Sequence, residues 1–236
     1  MSGGAYRPDI DGLRAVAVLP VVAFHLGAPF ATGGFVGVDV FFVISGFLIT
    51  RIVAQEIEEG RFSLVGFYER RARRIFPALF FLIAVVLAAA AILFMPNSLA
   101  EAARSAVAAT LFASNVLFFL EAGYFEAAAF GKPLLHTWSL AVEEQFYIVA
   151  PLLLMALARF GGRAAVWLGG LTVLSFALSA LTTASYPTAA YYLLPWRAWE
   201  LGIGAMLALG VGPRLEDRTL REAAAALGLV LILAAV

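Results

Sequence analysis

Apolar residues run in this chain for longer than a soluble core needs. From Ile75 to Met95 no charged residue interrupts the sequence, and about 18 consecutive apolar residues are enough to cross the hydrocarbon core of a bilayer as a helix. Helical runs are readable at about 13–30, 35–55, 75–95, 137–158, 164–182, 190–210 and from about 222 to the end. The chain is therefore expected to be all-α, a polytopic transmembrane helix bundle forming one membrane domain over residues 1–236. The last run stops at Val236 short of the roughly 20 residues a span requires, so the chain reads as the N-terminal portion of a longer protein.

Composition narrows the chemistry. Apolar residues make up 63% and charged residues 14% of the chain, far from the balance of a soluble domain. Sixteen basic and sixteen acidic residues cancel, so no overall field favours nucleic acid as a partner. There is no cysteine, which excludes a disulfide, a thiolate metal site and a cysteine acyl intermediate; no metal is expected. The first apolar segment is read as retained and not as a cleaved signal. It runs long, holds Arg14 and His25, and leads directly into a second apolar segment.

Short loops rich in Lys and Arg stay on the cytoplasmic side. Arg51, Arg61, Arg70, Arg71, Arg73 and Arg74 make the loop after the second helix cytoplasmic, which puts the N-terminus inside a plasma (inner) membrane. Were 103–120 a full span, Arg159 and Arg163 would fall outside. With 103–120 lying along the interface or only dipping in, they fall inside, as do Arg214, Arg218 and Arg221. The second arrangement is favoured, with 96–136 on the outer side.

Ionisable residues inside membrane segments mark function by default. Arg14 and His25 are eleven residues apart, so they share one helix face, separated by about 16 Å along the axis. Arg14 belongs near the cytoplasmic surface, and His25 roughly one to two turns below the outer end of its helix. Imidazole changes charge near neutrality and serves either as a general base or as a transient carrier of an acyl group; the structural alternative is a histidine that bonds a neighbouring helix. Asp39 lies at a similar depth on the second helix. It either pairs with His25 and fixes its tautomer, or caps its own helix near Gly37.

In "ERRARRIFP", Arg70, Arg73 and Arg74 lie on neighbouring helix faces. Guanidinium forks suit phosphate oxygens, although cytoplasmic arginines also set topology and hold anionic membrane lipids. In "LLHTWSLAVEEQFY", His136, Ser139, Glu143 and Tyr147 recur at three- and four-residue spacing. They form one polar face expected to line an internal cavity. Glu144 points about 100° away, toward an arginine on another helix.

On these motifs, together with "GFVGVDVFFVISGFLIT", the chain resembles the acyltransferase 3 family of membrane acyltransferases, which includes O-antigen and peptidoglycan O-acetylases. The resemblance implies a domain of about ten helices, and transfer of an acyl group, usually acetyl, from cytoplasmic acyl-CoA to a carbohydrate or glycolipid hydroxyl. It makes His25 the catalytic histidine with Arg14 its motif partner. Arg70, Arg71, Arg73 and Arg74 match the arginine-rich motif, and Glu143 and Glu144 the paired acids. Some members carry a further extracytoplasmic domain after the membrane helices. The candidate set is thus His25, Asp39 and Glu143 for catalysis, Arg14 and the four clustered arginines for the donor, acyl-CoA and usually acetyl-CoA, and His136, Ser139, Glu144 and Tyr147 for the substrate cavity. A proton-coupled transporter, using the same His, Asp and Glu as a relay, is the competing class.

Overall fold

The computed structural model describes residues 8–122, 131–159, 164–212 and 215–236; Arg163 and Arg214 of the topology argument lie outside them. Among the described residues the chain is all-helical. The helices are α1 (Pro8–His25), α2 (Val36–Glu58), α3 (Leu64–Leu93), α4 (Pro96–Thr110), α5 (Ser114–Ala122), α6 (Thr137–Ala158), α7 (Ala164–Thr182), α8 (Pro187–Tyr192), α9 (Leu194–Ala208) and α10 (Arg218–Ala235). By length and composition α2, α3, α6 and most of α7 can cross a membrane. The chain is a membrane helix bundle.

Helix ends follow local chemistry. Apolarity continues through Leu26–Phe30, yet α1 stops at His25, five residues before the end read from hydropathy. Gly27 takes φ +72°, its N–H bonds the Phe24 carbonyl, and the Ala28 N–H bonds the Ala23 carbonyl, the paired closure that a left-handed glycine supplies. His25 therefore lies in the last turn of its helix, not one or two turns inside it. Gly60 and Gly210 close α2 and α9 with the same bond pattern.

The segment 103–120 is not one helix. It is shared between α4, of 15 residues, and α5, of 9, and neither covers the roughly 20 residues of a span. The break falls at Phe112, which holds φ +52°, a conformation that costs a non-glycine residue about 1–2 kcal/mol. The run 190–210 is also broken, at Leu193, because Pro195 cannot donate the backbone bond that a continuous helix would need there.

Two compact units emerge, Met1–Arg51 with Glu200–Val236, and Ile52–Trp199. The first is built on glycine. A Cβ on Gly37 would lie 2.0 Å from the Ala17 carbonyl oxygen, which brings α1 against α2. Further along α2, a Cβ on Gly46 would lie 1.9 Å from the Leu201 carbonyl oxygen, and one on Gly204 of α9 would lie 1.9 Å from that of Val43. Small residues allow backbones to approach this closely in membrane bundles.

The second unit is pinned by amides and hydroxyls. Asn115 and Gln145 exchange side-chain hydrogen bonds, at 2.8 and 3.3 Å. Gln145 Nε2 also donates to the Phe112 carbonyl at 2.8 Å, and Asn115 Nδ2 to that of Tyr192 at 3.0 Å. This knot joins α5, α6, the end of α8 and the α4–α5 break. Ser175 Oγ donates to the Pro195 carbonyl at 2.6 Å and accepts from the Trp199 N–H at 2.9 Å, which fixes the start of α9 on α7.

Candidate active site

α1 carries two of the candidates. Arg14 is half-buried; its guanidinium lies 3.9 Å from Asp11 on the same helix and 5.5 Å from the centroid of the Phe41 ring. His25 is exposed, and its Nδ1 lies 2.7 Å from the Val21 carbonyl oxygen one turn back. The Phe24 ring meets the imidazole edge-on at 5.4 Å and is itself braced by Phe35 at 5.8 Å. Asp39 is half-buried in the first turn of α2, where a carboxylate suits the positive end of the helix. The hydrogen bond that His25 makes thus goes to its own backbone and not to a carboxylate.

The four arginines stand on α3, whose 30 residues extend about 45 Å, well beyond a hydrocarbon core of about 30 Å. They occupy the stretch before the charge-free run. Their partners differ. Arg70 donates to both oxygens of Glu56 at 2.9 and 3.0 Å, and Arg73 pairs with Glu69 at 2.6 Å. Arg71 reaches Glu144 of α6 at 3.2 Å. Arg74 is exposed and has no carboxylate within 4.0 Å among the described residues. Beside this cluster, hydrogen bonds from Arg61 and then Gln55 hold the Glu59 carboxyl below the usual carboxylate range.

The polar face of α6 divides in two. His136 is exposed as the residue that precedes the first turn, and Ser139 Oγ donates to its carbonyl at 3.2 Å. Glu143, Glu144 and Tyr147 are buried. The Tyr147 hydroxyl donates to Glu143, while the Arg71 guanidinium lies 4.0 Å over the Tyr147 ring as it pairs with Glu144. One arginine thereby ties both acids to α3, directly and through a tyrosine. Tyr68 reinforces the contact by donating to the Ile148 carbonyl at 2.8 Å.

Sequence reasoning missed Gln145. It follows the two acids in the motif, yet its partners, Asn115 and the Phe112 carbonyl, lie some thirty residues away on a segment without a charge pattern. It also missed the aromatic surroundings of Arg197, whose guanidinium lies 5.7 Å over the Trp138 ring. Among the described residues no cluster of three metal-ligating side chains occurs.

The acyltransferase 3 domain profile matches residues 7–236. The peptidoglycan O-acetyltransferase OatA of Listeria monocytogenes is 38% identical over 210 residues, covering 86% of this chain and 34% of that protein. The O-acetyltransferase OatA of Staphylococcus aureus is 44% identical over 161 residues, covering 67% of this chain and 26% of that protein. The chain thus spans about a third or less of the length of these curated relatives. No solved structure matches it. With a match running almost from end to end, the chain belongs to the acyltransferase 3 family of membrane acyltransferases.

Proposed function

We propose that this chain is the membrane part of an O-acetyltransferase that moves an acetyl group from acetyl-CoA on the cytoplasmic side to a hydroxyl of a cell-surface carbohydrate, with peptidoglycan as the acceptor class. The observation that carries the reading is His25, an exposed imidazole in a membrane acyltransferase related to proteins named as O-acetyltransferases. Imidazole provides the general base that a sugar hydroxyl needs to attack a thioester. The acceptor oxygen attacks the acetyl carbon, its proton passes to the imidazole, the carbon–sulfur bond breaks, and the thiolate takes the proton in leaving.

The basic end of α3 is assigned to the cytoplasm by its arginines and supplies the donor site. Within it, Arg74 is the main ligand of the CoA phosphates, since Arg70, Arg71 and Arg73 each already face a carboxylate. Glu143, Glu144 and Tyr147 hold the neighbouring helix in place.

Replacing His25 by Ala is expected to abolish acetylation of surface glycan while the protein still inserts in the membrane; acetylation that persists overturns the reading. Binding of labelled acetyl-CoA to the purified protein is expected to weaken in Arg74→Ala by about 1.5–3 kcal/mol, the worth of a charge-assisted contact. Unchanged binding removes Arg74 from the donor site.

A further inference from the structure

We propose that His25 works through Nε2, because the backbone carbonyl of Val21, and not Asp39, holds the proton on Nδ1. The inference rests on the reading of His25 as the base and identifies the group that orients it.

Nδ1 lies 2.7 Å from the Val21 oxygen, and a carbonyl oxygen only accepts. The proton of the neutral ring is therefore on Nδ1, which leaves the lone pair on Nε2. In the usual catalytic dyad a carboxylate on another element sets the tautomer and steadies the imidazolium. Here the acceptor is four residues back on the same helix. The bond is local and does not depend on how α2 is placed.

The surroundings agree with that assignment. α1 ends at His25, and Gly27 at φ +72° turns the chain away, so the imidazole stands exposed. Phe24, edge-on at 5.4 Å and backed by Phe35, flanks the ring. With Nδ1 tied down, Nε2 is the atom that takes the acceptor proton and returns it to the leaving thiolate.

Histidine occurs twice in the chain, at positions 25 and 136, so a His136→Gln variant carries His25 alone. The test is the 15N spectrum of histidine-labelled full chain of that variant in lipid nanodiscs at alkaline pH, where a nitrogen bearing a proton and one bearing a lone pair are well separated. The expected result is a protonated Nδ1 and an unprotonated Nε2, unchanged when Asp39→Asn is added. A proton on Nε2, or a tautomer that switches with Asp39→Asn, overturns the inference.

Nδ1-methylhistidine at position 25 gives a second readout. It keeps the Nε2 lone pair and removes the bond to Val21, and should lower acetyl transfer by about 10- to 100-fold, the scale on which metal-bound histidines respond to losing their orienting partner; full activity overturns the proposal. Failure here is distinct from failure of the functional reading. An inactive His25→Ala variant combined with an Nε2 proton in the protein that keeps His25 refutes the tautomer alone, whereas an active His25→Ala protein refutes the base.

Discussion

Arg71 and Arg74 are three residues apart and have opposite consequences. Arg71 is bound to a buried carboxylate on another helix and covers a buried ring, so Arg71→Met strands Glu144 and should cost about 3–5 kcal/mol of stability. Thermal unfolding in detergent reads this as a large fall in midpoint. Arg74→Ala removes an exposed side chain and should stay within about 0.5 kcal/mol of the parent, its effect confined to acetyl-CoA binding. Tyr147→Phe deletes one hydrogen-bond donor to the buried Glu143 and should destabilise by about 0.5–1.5 kcal/mol; an unchanged midpoint would show that this carboxyl does not need the phenol. The sequence pointed Glu144 toward an arginine on another helix, and the structure brings it to Arg71. Which arginine it would meet was not readable, because four of them share one helix and only the packing of α3 on α6 selects among them. His25 shows a different limit. Hydropathy continued past it, and the short-range geometry of Gly27 ended the helix.

At the level of elements, apolar run length was a good guide to α6 and α7, whereas α3 begins at Leu64, well before the run 75–95. The runs 137–158 and 164–182 return as α6 and α7 with the same bounds. Run length failed where a break is made by backbone conformation. Phe112 adopts a left-handed φ without being glycine, held by Gln145 on its carbonyl and by the Phe76 ring stacked at 5.7 Å; nothing in its residue type signals a turn. The crossing of α2 and α9 leads to a sharper prediction. Gly46→Ala or Gly204→Ala drives a methyl into the backbone of the other helix and should cost at least about 1–3 kcal/mol, read as loss of folded protein in membranes. Gly170→Ala on α7, where nothing beyond its own helix backbone lies within 4 Å of the added carbon, is the matched control and should lower neither yield nor midpoint.

For the molecule as a whole, the amphipathic α4 and short α5 bear on topology. With neither long enough to span alone, 96–136 is expected on one side of the membrane, opposite the basic end of α3. Reporter fusions after Gly60 and Gly131 check this. The first should report cytoplasm and the second the outer side, and a cytoplasmic Gly131 would reverse the assignment. The bundle class was legible because a bilayer imposes a length on every apolar helix. The polar knot of Asn115 and Gln145 was not, since a neutral amide pair leaves neither a charge pattern nor a period.

The mutual approach of Gly46 and Gly204 has a further consequence for how this sequence can vary. At each of these positions the other helix's carbonyl oxygen occupies the place of a side chain, so a saturation library should return glycine almost alone in those two columns. Part of what specifies this bundle is written as the absence of an atom.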